Sequence, residues 1–271
     1  MLGQEFMQNA LLGGSLVAIG SGLVGYFLVL RSQVFAGDAL SHAAFTGALA
    51  AVAFGVDVRA GLFAAGIAVA LGMGALGERA RADDVTIGTV FAWVLGIGVL
   101  FLAIFNTRSG SNGTAAVRVL FGSILGLSRQ AAVVAASIGA GVALAVLAVA
   151  RPLLFSSLDP EVAAAQGVPV RLLGFVFLAV LGAIAAEATQ AVGALLLLGL
   201  VAAPAGAAHL IARNPYRALA LSVLFALGAV WAGLVLSYYV TRVPPSTAIV
   251  FVAAAIYLGA AVQSRLRRER D

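Results

Sequence analysis

The sequence predicts an all-α membrane protein, a polytopic bundle of about nine transmembrane helices in one domain that spans residues 1–271. Three observations lead to this class. The chain is 62% hydrophobic and 10% charged, whereas about a quarter of a soluble domain is charged. Apolar runs of about 20 residues, the length that crosses a bilayer, recur along the chain. The 32 glycines and the abundant alanines allow helices to approach closely in lipid.

Polar and charged residues divide the chain into nine predicted spans. Their approximate bounds, in chain order, are 10–30, 34–56, 60–77, 85–105, 131–150, 172–186, 191–212, 218–240 and 247–262. A polar break at 187–190 separates the sixth span from the seventh. Within residues 114–130, the apolar stretch between Arg118 and Arg129 is only ten residues long, which is too short to cross. This segment predicts a re-entrant or interfacial helix.

The distribution of arginine predicts the orientation, because cytoplasmic loops carry an excess of basic residues. All 16 basic residues are arginine. Placing Arg31 inside and alternating the spans puts eleven arginines in the cytoplasm and five outside. We therefore expect the N-terminus outside and the C-terminus inside a bacterial-type cytoplasmic membrane. The net charge of +5 is explained by this bias, and no nucleic-acid partner is needed.

Two residue types are missing from the composition, and each absence excludes a class of chemistry. Without lysine the chain cannot form a P-loop, so any ATP chemistry must lie on another subunit. Without cysteine it cannot form disulfides or thiolate metal sites. We therefore do not expect this chain to hydrolyse ATP itself.

The stretch GDALSHA, residues 37–43, places Asp38 and His42 four residues apart within an apolar run. On a helix, this spacing puts both side chains on one face. A carboxylate and an imidazole that point the same way can bind a divalent cation. Ionisable groups in a membrane segment usually face the bundle interior or a water-filled path. The alternative is a polar pair at a helix start, with Asp38 as a cap and His42 packed neutrally.

A loop predicted on the cytoplasmic side contains a short helix whose two ends are both marked. Asp159 suits the N-cap and Pro160 the first helical position. Glu161 adds negative charge to the first turn. Gly167 suits the left-handed position after the helix, and Pro169 prevents continuation. A helix of about seven residues is not stable alone, which favours a docking surface for a soluble partner. The alternative is an ordinary connector with good caps.

Two further polar residues lie in apolar surroundings. Glu187 is either an acidic cation ligand near the outer mouth or the mark of a tight turn. It shares one site with Asp38 only if the second span begins with a broken segment; otherwise the two lie at different depths. His209, near the inner end of the seventh span, is predicted to be interfacial and not a ligand.

Three stretches together carry a family resemblance. GDALSHAAFTGALAA, DPEVAAAQGVPV and QAVGALLLLGLVAAPAGAA resemble the integral-membrane permease of ABC importers for manganese, zinc or iron, in the same order and at similar spacing over most of the chain. One departure is Ser32, where the family often has a second basic residue beside Arg31.

The resemblance implies roles for these stretches. Asp38 and His42 match the Asp and His of the family's translocation path, and Glu187 is a further candidate metal ligand. The coupling helix that contacts the ATPase would comprise Asp159, Pro160, Glu161, Val162, Ala163, Ala164, Ala165, Gln166 and Gly167. The implied partners are a second permease copy, two cytoplasmic ATP-binding subunits and an extracytoplasmic metal-binding protein. No cofactor is expected to be bound permanently, and the transported ion would be Mn²⁺, Zn²⁺ or Fe²⁺.

Two alternatives stay open at this point. A permease for chelated metal, such as a siderophore or cobalamin, would need a wider and less charged path. A gradient-driven cation transporter would need no ATPase and would leave the capped loop helix unexplained.

Overall fold

A computed structural model describes residues 4–77, 83–109, 122, 124–191, 193–194, 197–240 and 242–268. These residues form ten α-helices and one short 3₁₀ turn, Ile124–Gly126. In chain order the helices are α1 (Glu5–Leu30), α2 (Val34–Phe54), α3 (Val58–Leu76), α4 (Asp84–Ser109), α5 (Arg129–Leu158), α6 (Pro160–Ala165), α7 (Val170–Ala191), α8 (Leu197–Ile211), α9 (Pro215–Tyr239) and α10 (Pro245–Arg268). The predicted all-α class is confirmed.

Seven helices in the described ranges are long and apolar enough to cross a membrane: α1, α3, α4, α5, α7, α9 and α10. α2 has 21 residues, but Asp38, Ser41 and His42 lower its hydropathy. α8 has 15 residues, a length of about 22 Å against a hydrocarbon core of about 30 Å. The count of nine spans therefore stays a prediction. Most of the predicted helix at 114–130 lies outside the described residues.

Polar side chains fix where several helices begin. Asp57 accepts a hydrogen bond from the backbone N–H of Ala60 at the start of α3. Ser128 caps α5 in the same way, and Asn214 caps α9 ahead of Pro215. Such caps satisfy backbone donors that have no partner within the helix.

Two predicted boundaries are wrong. α5 continues to Leu158 through Pro152, well past the predicted end at 150. The polar residues at 187–190 do not break the chain, because α7 runs through them to Ala191. The Thr189 hydroxyl donates to the Ala185 carbonyl within the helix, and Gln190 accepts hydrogen bonds from Arg59 on α3. Polar side chains that find partners in this way leave the helix intact.

The centre of the bundle is α1, which packs against α5, α7, α8 and α9 and is largely buried. α4 is mostly exposed and packs chiefly on α2. α2 also packs against α3 and α7. The helix that carries Asp38 and His42 thus lies between the core and the exposed α4.

Glycine allows α2 and α3 to cross closely. Gly47 of α2 and Gly61 of α3 face each other, and a Cβ on either would overlap the backbone carbonyl of the other. Further along, Gly66 of α3 and Gly182 of α7 are similarly close. Small residues thus hold α2, α3 and α7 together, as is typical of helix packing in membranes.

Candidate cation path

Asp38 and His42 both lie on α2, four residues apart, and each is half-buried. The helical spacing puts them on the same face, as predicted. The ring centroid of His42 is 5.2 Å from that of Phe91 on α4. Neither side chain is sealed in the core of the described chain.

Ser41, which lies between Asp38 and His42 in the sequence, is fully buried and connects α2 to the turn between α7 and α8. Its hydroxyl lies 3.0 Å from the carbonyl oxygen of Ala194 and 2.7 Å from that of Asp38. Gly193, with φ +100°, permits this turn. Ser41 is about 10 Å along α2, so the non-helical backbone at Ala194 lies within the bundle. Irregular backbone at membrane depth is tolerated where protein buries it or a cavity is lined by it.

Asp38, His42 and Glu187 are not grouped closely enough to hold one metal ion between them. No group of three or more Asp, Glu or His side chains that could hold a metal ion occurs within the described ranges. Ala186, the neighbour of Glu187, packs with Ala44 and Ala48 of α2. Ala44 and Ala48 are two and six residues beyond His42, a rise of about 3 and 9 Å. The turn of α7 that carries Glu187 therefore packs on α2 just beyond His42.

Glu187 is almost completely buried, with 1% of its surface exposed. Its Oε1 is 3.6 Å from Nη2 of Arg59, whose side chain is 27% exposed. The same guanidinium donates from Nη2 and Nε to Oε1 of Gln190, at 2.9 and 3.3 Å. Oε2 of Glu187 has no hydrogen-bond partner among the described residues.

The short helix α6 has the predicted caps. The Asp159 carboxylate accepts from the backbone N–H groups of Glu161 and Val162, at 3.2 and 3.0 Å. Pro160 is its first residue, and Gly167 has φ +82°. The helix has six residues, against the seven expected. Ala163 anchors it in the protein, while Val162 is 44% exposed, which leaves an accessible outer face.

His209 does not join the path. Its Nε2 is 3.1 Å from the carbonyl oxygen of Tyr26, and its ring stacks on that of Tyr26 at 4.6 Å. The residue connects α8 to α1, and its assignment as a non-ligand stays a prediction.

Three residues around the candidate ligands were not predicted from the sequence: Ser41, which contacts the Asp38 carbonyl, Arg59, which contacts Glu187, and Gln190, which contacts Arg59. The motif GDALSHA contains Ser41, but nothing in the sequence shows that its hydroxyl meets Ala194. Arg59 and Gln190 are 131 positions apart, and only the α3–α7 packing brings them together. The one signal in the sequence was that Arg59 adjoins an apolar run, where a charged residue usually has a partner.

A family model described as the ABC 3 transport family matches residues 3–264 of this sequence. The chain belongs to the ABC 3 transport family. It is therefore a multi-pass membrane component of an ABC transport system. This assignment agrees with the resemblance carried by the three sequence stretches.

Members of the ABC 3 transport family with similar sequences span nearly the whole chain. The "Manganese transport system membrane protein MntC" of Halalkalibacterium halodurans is 30% identical over 258 residues, covering 95% of this chain and 87% of the relative. The "Probable iron transport system membrane protein" of Haemophilus influenzae is 29% identical over 264 residues, covering 97% and 95%.

A solved structure is similar to this ABC 3 transport chain in both sequence and fold. PsaBC from Streptococcus pneumoniae, solved in complex with Fab, is 28% identical with a TM-score of 0.82. The alignment covers 95% of this chain and 91% of the PsaBC chain.

Proposed function

We propose that this chain is the permease subunit of an ABC importer that moves divalent metal cations, Mn²⁺, Zn²⁺ or Fe²⁺, across the cytoplasmic membrane. The observation that carries this proposal is the Asp38/His42 pair, half-buried on one face of α2. The names of the relatives from Halalkalibacterium halodurans and Haemophilus influenzae, which refer to manganese and iron transport, support the choice of cargo.

The chemistry of the pair suits a transport site. Carboxylate oxygen and imidazole nitrogen are ligands for Mn²⁺, Zn²⁺ and Fe²⁺. Two ligands replace only part of the hydration shell, so the ion binds weakly enough to leave again. We propose that a second copy of the chain contributes the same pair across a two-fold axis. Glu187 is a further station on the same route.

ATP hydrolysis on a separate cytoplasmic subunit would supply the energy. We assign α6, with its flanking residues Asp159, Gln166 and Gly167, as the coupling helix that contacts this subunit. Its exposed outer face and its anchored Ala163 support that role. Force on α6 passes to α5 and α7, against which α6 packs, and a rigid-body shift of these helices would change the side to which the path opens.

The orientation follows the arginine bias, with the N-terminus outside and α6 in the cytoplasm. An extracytoplasmic metal-binding protein would deliver the ion to the outer face. The transported cation is substrate, and no resident cofactor is required for this step.

Metal uptake in a transport assay tests the function. External ⁵⁴Mn²⁺ is added to cells or proteoliposomes that contain the whole transporter, and the initial rates of its uptake are compared. Asp38→Ala combined with His42→Ala should lower uptake at least tenfold, because both inner-sphere ligands are lost. Two controls, Asp84→Asn at the exposed start of α4 and His209→Ala, remove the same residue types elsewhere and should retain most uptake.

Three outcomes would contradict the proposal. Unchanged Mn²⁺ uptake in the double variant would remove the assigned site. Uptake of a metal chelate but of no free cation would favour a chelate permease. Cation uptake that continues without any ATP-binding subunit would favour a gradient-driven transporter.

A further inference from the structure

The cluster of Arg59, Glu187 and Gln190 joins α3 to α7 and contains one buried acid whose charge is only partly matched. Burial of a carboxylate is costly unless it is paired and hydrogen-bonded. Here the contact with Arg59 is 3.6 Å, outside hydrogen-bond range, and Oε2 has no hydrogen-bond partner among the described residues. Stability alone does not explain such a group, because burying an apolar residue at this position would cost less free energy than burying a carboxylate.

The geometry on α7 is that of an oxygen site for a cation. Glu187 and Gln190 are three residues apart, so their side chains lie on one face of the helix. Together they present three oxygens, Oε1 and Oε2 of Glu187 and Oε1 of Gln190. Carboxylate and amide oxygens are the ligands preferred by hard divalent cations such as Mn²⁺.

The Arg59 guanidinium now lies at these oxygens. Both of its hydrogen bonds go to Gln190, and its charge faces Glu187. Arg59 is 27% exposed while Glu187 is 1% exposed, so the arginine lies between the acid and solvent. It is the second residue of α3, where a long side chain can swing outward without moving the helix.

We propose that Arg59 closes an outer cation site formed by Glu187 and Gln190, and that the guanidinium and a divalent cation occupy these oxygens alternately. The resident positive charge keeps the site closed to metal until a cation from outside displaces it. This inference rests on the proposed function, in which Glu187 is a second position that binds the transported cation. The roles of Arg59 and Gln190 are additional to it.

Mn²⁺ binding to the purified full-length chain tests the proposal. All variants carry Asp38→Ala and His42→Ala, so that the site on α2 does not contribute. Arg59→Gln should then tighten Mn²⁺ binding by on the order of tenfold and give one saturable site per chain. Adding Glu187→Gln should abolish that gain, and adding Gln190→Leu should reduce it. Arg129→Gln, at an exposed arginine that begins α5, is the matched control and should leave binding unchanged.

A second measurement uses the unmutated chain. Phenylglyoxal labels accessible arginines, and mass spectrometry reports the extent of labelling at each position. Mn²⁺ should increase the labelling of Arg59 several-fold while leaving Arg129 unchanged. In Glu187→Gln, Arg59 should be reactive without Mn²⁺ and should no longer respond to it.

Two results would overturn the proposal. One is that Arg59→Gln gains no Mn²⁺ site, or gains one that survives Glu187→Gln. The other is that Mn²⁺ leaves Arg59 labelling unchanged or decreases it. Failure of the proposed function is distinguishable, because it would appear as unchanged Mn²⁺ uptake after loss of Asp38 and His42, whichever way Arg59 behaves.

Discussion

The close crossing of α2 and α3 makes a quantitative prediction about Gly61. An alanine Cβ there would lie 2.6 Å from the Cβ of Ala51, and nearer still to the Gly47 carbonyl oxygen. Carbon atoms pack at about 3.5 Å or more, so the helices must separate by about 1 Å. Overpacking of this kind costs about 1–3 kcal/mol. We therefore expect Gly61→Ala to lower the free energy of unfolding and, because α2 carries Asp38 and His42, to slow metal uptake.

Gly72→Ala on the same helix is the matched control. No atom lies within 4 Å of a Cβ at Gly72, so this change should keep or raise stability by up to about 1 kcal/mol through helix propensity. Both variants share the propensity gain, so the difference between them isolates the overpacking. Reversible unfolding in mixed detergent micelles, followed by circular dichroism, measures that difference. Equal stabilities for Gly61→Ala and Gly72→Ala would refute the close crossing.

Other predictions concern α6 and Ser41. Asp159→Ala removes the cap of α6, should cost about 1 kcal/mol, and should reduce metal-stimulated ATP hydrolysis by the assembled transporter, whereas Asp84→Asn at the exposed start of α4 should not. Gly167→Ala forces a side chain into left-handed backbone, should cost about 1–2 kcal/mol, and should weaken co-purification of the ATP-binding subunit. Ser41→Ala leaves the buried Ala194 carbonyl without its donor, should cost about 1–3 kcal/mol, and should lower the thermal midpoint. Wild-type stability and wild-type ATP hydrolysis in these variants, measured on equal amounts of purified protein, would contradict the predictions.

Local chemistry explains why the short helix α6 was predicted almost residue by residue. Its N-cap, its first-position proline and its terminal glycine act within a few positions of one another. At 187–190 the local pattern was misleading, because polar residues in an apolar run resemble a turn and α7 in fact continues through them. Arg59 comes from another helix to satisfy Gln190, and no local pattern reports that contact.

The span count shows a similar limit. Hydropathy separates apolar runs well, but α8 is short because the turn at Ala194 lies beside Ser41 inside the bundle. A buried turn has the same composition as a buried helix. Its position depends on a hydrogen bond between residues 153 positions apart.

The amino-acid sequence by itself determined the membrane class, the all-α fold, the capped helix α6 and the pairing of Asp38 with His42 on one face. These follow from composition and from spacings of a few residues, which the helix converts directly into geometry. Only the tertiary structure decided that Asp38, His42 and Glu187 do not form one group that could hold a metal ion and that Arg59 contacts Glu187. Such contacts depend on how glycine-lined helices cross, and the crossing is set by packing between segments that are distant in the chain.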